Sequence, residues 1–268
     1  MILLTQDKPF FPSNFDEKFE LIKKIGFDGY EIDGGILLKH FSEIELASKK
    51  NQLPIMTICG GYHGWIGDFN DELRKNGLNE IKTMLEIGKK LGIKGIVLPA
   101  AWGMFSKRLP PMIPPRSDQE DINVLTDSLK FLDEVAEKTS TTIYLEPLNR
   151  YEDHMLNHIS DAAKIIEGAK FKHVKICYDF FHMNIEESKM DTPIEDYSKL
   201  IGHIHLASSH RYQPGTGHLD YQPGLKALKK IGYNDAFAFE CRVSGDDLVE
   251  EYRKSVLFIR QEFIKAGF

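Results

Sequence analysis

Cysteine is scarce in this chain: three residues in 268, at Cys59, Cys177 and Cys241, with no CxxC pair among them. That excludes a disulfide scaffold and a thiolate-bound structural zinc, and leaves reduced, partly buried thiols as the expectation. No apolar run approaches the roughly 20 residues that cross a bilayer. The opening "MILLTQDKPFFPS" has neither the basic leader nor the long apolar core of a secretory signal. A cytoplasmic protein without membrane contacts is expected. Long Lys/Arg runs are missing too, and the net charge is −6 with a pI near 5.9. That balance disfavours nucleic acid as a partner and suits a small neutral substrate or a cation. Finally, no G-x-G-x-x-G follows the first apolar run, so a dinucleotide-binding open sheet lacks its main signal.

What is present is a rhythm. Eight short β-rich runs, "MILLT", "GYEID", "IMTICG", "GIVLPA", "TIYLE", "VKICYD", "HIHLAS" and "AFAFE", alternate with longer amphipathic stretches. One such stretch, "FDEKFELIKKIG", follows Ser13-Asn14, a plausible cap, and stops at Gly26. Another, "NDELRKNGLNEIKTMLEIGKKLG", spaces Leu73, Ile81, Leu85 and Leu91 at helical intervals and ends at Gly92. Strictly alternating β and α segments predict parallel strands with crossover helices. Eight such units predict a closed (β/α)₈ TIM barrel of α/β class, spanning 1–268 as a single domain.

Four strands end on chemistry. "TIYLE" closes on Glu146, "VKICYD" on Asp179 and "AFAFE" on Glu240, and "GHIHL" carries His205. Since parallel barrel strands all open on one face, three carboxylates and an imidazole should meet there. With Glu240 pointing inward, Ala238 and Ala236 point inward as well, and Phe239 and Phe237 face the helices. Carboxylates gathered in a cleft repel one another by several kcal/mol unless a cation joins them. A mixed O/N donor set suits one divalent ion: Mn²⁺, Mg²⁺ or Co²⁺, with Zn²⁺ as a further option. Taken singly, each of these acids could be only a helix cap or a surface charge. His203, two positions before His205 on the same face, reads as a core histidine bonded to a neighbour.

Other residues surround this cluster. His182, three positions beyond Asp179, is expected in a loop above the barrel mouth, where a neutral imidazole could bond a sugar hydroxyl or carbonyl. Its bland role is a helix start touching only backbone. Arg211 follows His205 and could clamp substrate oxygens or, more plainly, pair with Glu152 or Glu240. Glu152 could reach a substrate hydroxyl or orient Arg211. Trp65, His63 and Trp102 are placed on the same mouth, either against a sugar face or as a lid for the barrel. Pro214 and the Gly215-Thr216-Gly217 turn read as a tight, ordered loop.

The segments "LEPLNRYEDHMLN", "YDFFHMNIEE", "HLASSHRYQPGTGH" and "AFAFE" resemble the D-tagatose/D-psicose (allulose) 3-epimerase group of the xylose isomerase-like TIM-barrel superfamily. The resemblance is close over the C-terminal half and rests mainly on the strand–helix rhythm over the N-terminal half. It implies one Mn²⁺-like ion held by Glu146, Asp179, His205 and Glu240. It implies that Glu146 and Glu240 double as the acid/base pair and that Glu152, His182 and Arg211 bind the sugar near its carbonyl. It also implies a homodimer or homotetramer. The expected reaction is C3 epimerisation of a ketose through a cis-enediolate. A hydroxypyruvate or inosose isomerase on the same metal frame is the alternative, and an AP endonuclease-like phosphodiesterase with three zinc ions a more distant one.

Overall fold

The structure is a computed structural model that describes residues 1–106 and 113–268. The eight strands are β1 (Ile2–Thr5), β2 (Gly29–Ile32), β3 (Ile55–Cys59), β4 (Gly95–Pro99), β5 (Thr142–Glu146), β6 (Val174–Asp179), β7 (Ile201–Leu206) and β8 (Ala236–Phe239). Each pairs in parallel with the next, and β8 returns to β1, so the sheet closes into a barrel in strand order. The helices are α1 (Phe15–Ile25), α2 (Gly34–Asn51), α3 (Asp71–Gly88), α4 (Asp118–Thr139), α5 (Ile159–Ala169), α6 (Phe180–Glu186), α7 (Thr192–Asp196), α8 (Gln222–Lys230) and α9 (Leu248–Ala266). Among the described residues, no helix is long and apolar enough to cross a membrane.

Local chemistry sets these boundaries. Asn14 caps α1 by accepting from the amides of Asp16 and Glu17, and α1 ends at Gly26 with φ 114°. Only the absence of a Cβ makes that left-handed turn cheap. α3 starts on the Asn70 cap, passes into a 3₁₀ turn over Lys89–Leu91 and stops at Gly92. Ile81 and Leu85 of α3 are wholly buried, but Leu73 is 48% exposed, so the helical spacing overstated its apolar face by one residue.

Packing follows the strand alternation. Ala236 and Ala238 point into the barrel against Leu4 and Met56. Phe237 and Phe239 point out, meeting Phe263 of α9 at 4.7 Å and Phe27 at 5.2 Å between ring centroids. A second interior cluster joins Val97, Tyr144 and Cys177, with Cys59 beside it. Above these layers the interior turns polar: Glu31, Thr57, Glu146, Asp179, His203 and His205 are all buried.

The tightest place in the wall is Gly95, where a Cβ would sit 2.0 Å from the Thr142 carbonyl oxygen and 2.7 Å from the Tyr144 ring. Gly168, inside α5, meets nothing within 4 Å. Gly95→Ala should therefore lower stability by about 1–3 kcal/mol, the usual range for overpacking. Gly168→Ala should raise it by about 0.5–1 kcal/mol through helix propensity. Thermal melts of the two variants should move in opposite directions.

Candidate metal and acid/base site

The ends of β5, β6 and β7 and the residue after β8 bring Glu146, Asp179, His205 and Glu240 together. One ligand atom from each lies within 4.8 Å of all the others. His205 Nδ1 is at the centre, 3.0 Å from Glu146 Oε1, 2.7 Å from Glu240 Oε2 and 3.8 Å from Asp179 Oδ2. Register explains the convergence, because Asp179 pairs with His205 and His205 with Ala238 across adjacent strands. Glu240 lies one residue beyond the end of β8.

At 4.8 Å, two like charges repel by about 3–4 kcal/mol even at an effective dielectric of 20. The chain meets part of this repulsion with a cation of its own. Arg211 donates from Nη1 to Asp179 Oδ2 at 2.6 Å, and its Nη2 lies 2.6 Å from Glu240 Oε2. Burial works to raise both acids, but Arg211 outweighs it and holds Asp179 low and Glu240 well below the carboxylate range. Glu146 lies farther from that guanidinium. Burial and the Glu240 charge push it up to about 8.

A buried divalent ion fits these residues. Glu240 Oε2 is buried yet makes no well-directed hydrogen bond, although two nitrogens approach it within 2.7 Å. An acceptor left in that condition would gain from a cation. Three hard oxygens and one imidazole nitrogen suit an ion of the Mn²⁺ or Mg²⁺ kind.

Asp179 has two jobs. Its Oδ1 accepts from the amides of Phe181 at 2.6 Å and His182 at 2.9 Å, capping α6, while Oδ2 faces the cluster. The cap reading and the ligand position therefore hold together. His182 lies in the first turn of α6, not in a loop, and is 1% exposed. Its Nδ1 takes a hydrogen bond from the Asn149 amide at 3.1 Å and lies 2.8 Å from Asn149 Nδ2. A backbone N–H can only donate, so the His182 proton sits on Nε2. Burial holds this imidazole below its usual range, which keeps it neutral.

Glu152 does not orient Arg211. It accepts from Trp102 Nε1 at 2.9 Å and from Asn149 Nδ2 at 2.9 Å, joining the loops after β4 and β5. Arg211 instead lies over the Phe181 ring at 4.8 Å, with φ 65° in the left-handed region. Such a backbone is tolerated where surrounding bonds enforce it. The amide of Arg211 donates to Ser208, and its carbonyl accepts from Arg242. His63 is exposed and bonded to Glu80, and Trp65 packs edge-on against Tyr62. Thr216 bonds back to the Gln213 carbonyl within its ordered turn.

Two features were missed in the sequence. Glu31, wholly buried on β2, receives His203 Nε2 at 2.8 Å and lies 2.9 Å from His205 Nε2. "GYEID" carries the same apolar-then-acid signal as "TIYLE" and could have been read alike. The thiols are also nearer the chemistry than expected. Cys177 Sγ lies 4.0 Å from Glu146 Oε1, and Cys59 Sγ lies 3.9 Å from Glu240 Oε1. Burial pushes both thiols up, so they remain neutral. A separate cavity of about 450 Å³ between α4 and α5 lies in the outer helix layer, away from these strand ends.

A closed parallel barrel thus gathers three acids and a histidine at the carboxyl ends of consecutive strands. The chain belongs to the xylose isomerase-like TIM barrel family, whose match spans residues 19–262. It is 48% identical over 256 residues to the 3-dehydro-D-guloside 4-epimerase of Escherichia coli (strain K12), covering 96% of this chain and 98% of that one. It is 27% identical over 234 residues to the D-psicose 3-epimerase of Ruminiclostridium cellulolyticum, covering 82% of this chain and 76% of that one. Among solved structures, the 3-keto-D-glucoside 4-epimerase from E. coli superposes with TM-score 0.95 at 48% identity, covering 97% of this chain and 99% of that one. The chain is thus a sugar epimerase or isomerase by family and by likeness.

The double duty of Asp179 can be separated. Asn caps helices as well as Asp does, whereas Ala costs about 1 kcal/mol. Ion-free Asp179→Asn should be about 1 kcal/mol more stable than Asp179→Ala in denaturant melts, and both should lose divalent-ion affinity.

Proposed function

We propose that this chain inverts the carbon next to the ketone of a keto-sugar, with Glu146 and Glu240 as the paired proton carriers and Mn²⁺ as the ion. The observation that carries this reading is the convergence of those two glutamates, from β5 and from just beyond β8, on one imidazole with Asp179 between them. An ion held by Glu146, Asp179, His205 and Glu240 would stabilise the negative charge that develops on the sugar oxygens as the proton leaves. One glutamate takes the proton and the other returns one to the opposite face, which inverts the centre. The His182 Nε2–H is free of its partner Asn149, which occupies Nδ1, and so can donate to a sugar oxygen. Arg211 offers a charged donor beside it, held by Asp179 and Phe181. Glu152 and Trp102, bonded to each other, supply an acceptor and an aromatic face at the rim.

The identity to the E. coli 4-epimerase, which covers nearly the whole of both chains, favours a 3-keto-glycoside epimerised at C4. The psicose and ribulose 3-epimerase relatives support a second reading, a free 2-ketose epimerised at C3. The proton chemistry is the same in both. A panel of 3-keto-glycosides and free ketoses, followed by NMR, distinguishes them: turnover of the glycosides alone supports the first reading, and of the ketoses alone the second.

Glu240→Gln should keep its fold and lose solvent-deuterium incorporation at the reacting carbon by about 10²–10⁴-fold. Incorporation at the wild-type rate would refute the role of Glu240. Treatment with a chelator should abolish turnover, and added Mn²⁺ should restore it with about one ion per chain. An elemental count of three zinc ions would favour a phosphodiesterase instead.

A further inference from the structure

Two lysines are buried among the described residues, Lys8 and Lys18, each 6% exposed. Lys18 is accounted for by its partner, since its Nζ lies 2.7 Å from Asp7 Oδ1. Lys8 has no such partner among the described residues. Its Nζ donates to the Asp7 carbonyl oxygen at 3.3 Å, a long bond, and lies 5.7 Å from the centre of the Tyr252 ring. Neither contact is a carboxylate, and the neighbouring carboxylate of Asp7 is already taken by Lys18. An ammonium carries three N–H donors. Among the described residues one is engaged and two are left over. Polar hydrogens buried without acceptors are costly, and a lysine is almost never enclosed unless something pairs with it.

The place of Lys8 in the fold shows where the missing acceptor belongs. It lies three residues beyond the end of β1 at Thr5, on the face where the four converging side chains meet. The loop it occupies is fastened to that face. The Gln6 amide donates to the Phe239 carbonyl at 3.5 Å, one residue before Glu240, and Gln6 Nε2 donates to Glu31 Oε1 at 3.0 Å. The ring beside Lys8 is fixed as well, with Tyr252 Oη 2.7 Å from Thr5 Oγ1. Burial lowers the pKa of the Lys8 amine, against the opposing charges of Glu240, Asp7 and Glu31. In a closed barrel of eight strands, β1 stands opposite β5. Glu152 and His182 follow β5 and β6, so Lys8 comes to the mouth from the far side.

We propose that Lys8 is a substrate-binding residue: its side-chain nitrogen donates to a hydroxyl oxygen of the keto-sugar on the side of the mouth that Glu152 and His182 do not reach. The inference deepens the reading given above and rests on it. A hydrogen bond from a charged donor is worth about 10–100-fold in affinity. Made away from the reacting carbon, it is equally strong before and during proton transfer, so it lowers KM and leaves kcat alone.

Two measurements on Mn²⁺-loaded protein test it. Lys8→Met removes the donor and keeps an unbranched chain. With a methyl 3-keto-D-glucoside as substrate its KM should rise about 10–100-fold, with kcat within about threefold of wild type and Mn²⁺ content unchanged. Lys8→Arg, which restores a charged donor, should recover part of the loss. A folded Lys8→Met protein with the wild-type KM would overturn the proposal. So would a fall in kcat at unchanged KM, which would put the lysine in the proton transfer and not in binding. The second measurement needs no variant. Reductive methylation with formaldehyde, read by mass spectrometry, should label Lys8 in the free wild type, and saturating methyl 3-keto-D-glucoside should slow that labelling while exposed Lys24 reacts as before. Formaldehyde is smaller than any sugar, so a Lys8 that resists labelling in the free protein is closed to a sugar too, and the proposal fails. Labelling that ignores the sugar sinks it equally. D-psicose replaces the glucoside in both measurements if the substrate panel favours free ketoses. A wild type that turns over no keto-sugar would overturn the reaction and this inference together, whereas normal turnover with an unprotected Lys8 would overturn this inference alone.

Discussion

Three carboxylates share a space less than 5 Å across, and their mutual repulsion is the constraint to which the mouth of this barrel is built. A parallel barrel delivers every strand end to one face, so acids placed at strand ends have no means of avoiding one another. His205 stands between them and Arg211 spans two of them from above. Much of the surrounding structure serves those two side chains. Arg211 adopts a left-handed backbone, closed by bonds to Ser208 and Arg242, and its guanidinium rests on the Phe181 ring. His205 also lies 2.9 Å from Glu31, which itself draws on Gln6, Thr57 and His203.

A polar interior of this kind is costly wherever it is incomplete. A half-satisfied buried network is worse than an apolar core, because each unpaired group loses its water without replacement. Here hydrogen bonds run from Gln6 and Thr57 through Glu31 to His203, and from His205 to Glu146, while His205 Nε2 and Glu240 Oε2 are left without a well-directed partner. The alanines of β8 and the small volume they leave allow large polar side chains from β2 and β7 to meet across the barrel. The neutral thiols of Cys59 and Cys177, each near one glutamate, fill the remaining wall without adding charge.

The barrel was legible because each strand alternates between an inner and an outer set, as in "AFAF", where alanine faces in and phenylalanine out. The four convergent residues were legible because an apolar run that stops on an acid is conspicuous, and four such stops on consecutive strands are more so. Glu31 escaped because the eye settles on the last acid of "GYEID". That residue, Asp33, is the cap of α2, bonded to the Ile36 amide. A register shift between Tyr30 and Glu31 further disturbs the alternation. His182 is expected in a loop, with a helix start as its plainer role, and Asp179, by capping α6 as well as ending β6, puts it in the helix. The Glu152–Trp102 link joins two loops far apart in sequence, and no local pattern could have announced it.

The four converging side chains all come from the second half of the chain, while β1 to β4 contribute much of the surrounding rim. Such a division lets rim loops vary while the four converging side chains stay in place. Glu31 limits that freedom. It belongs to the first half yet lies 2.9 Å from a histidine of the second, so a chimaera that imports a foreign N-terminal half must accommodate that contact.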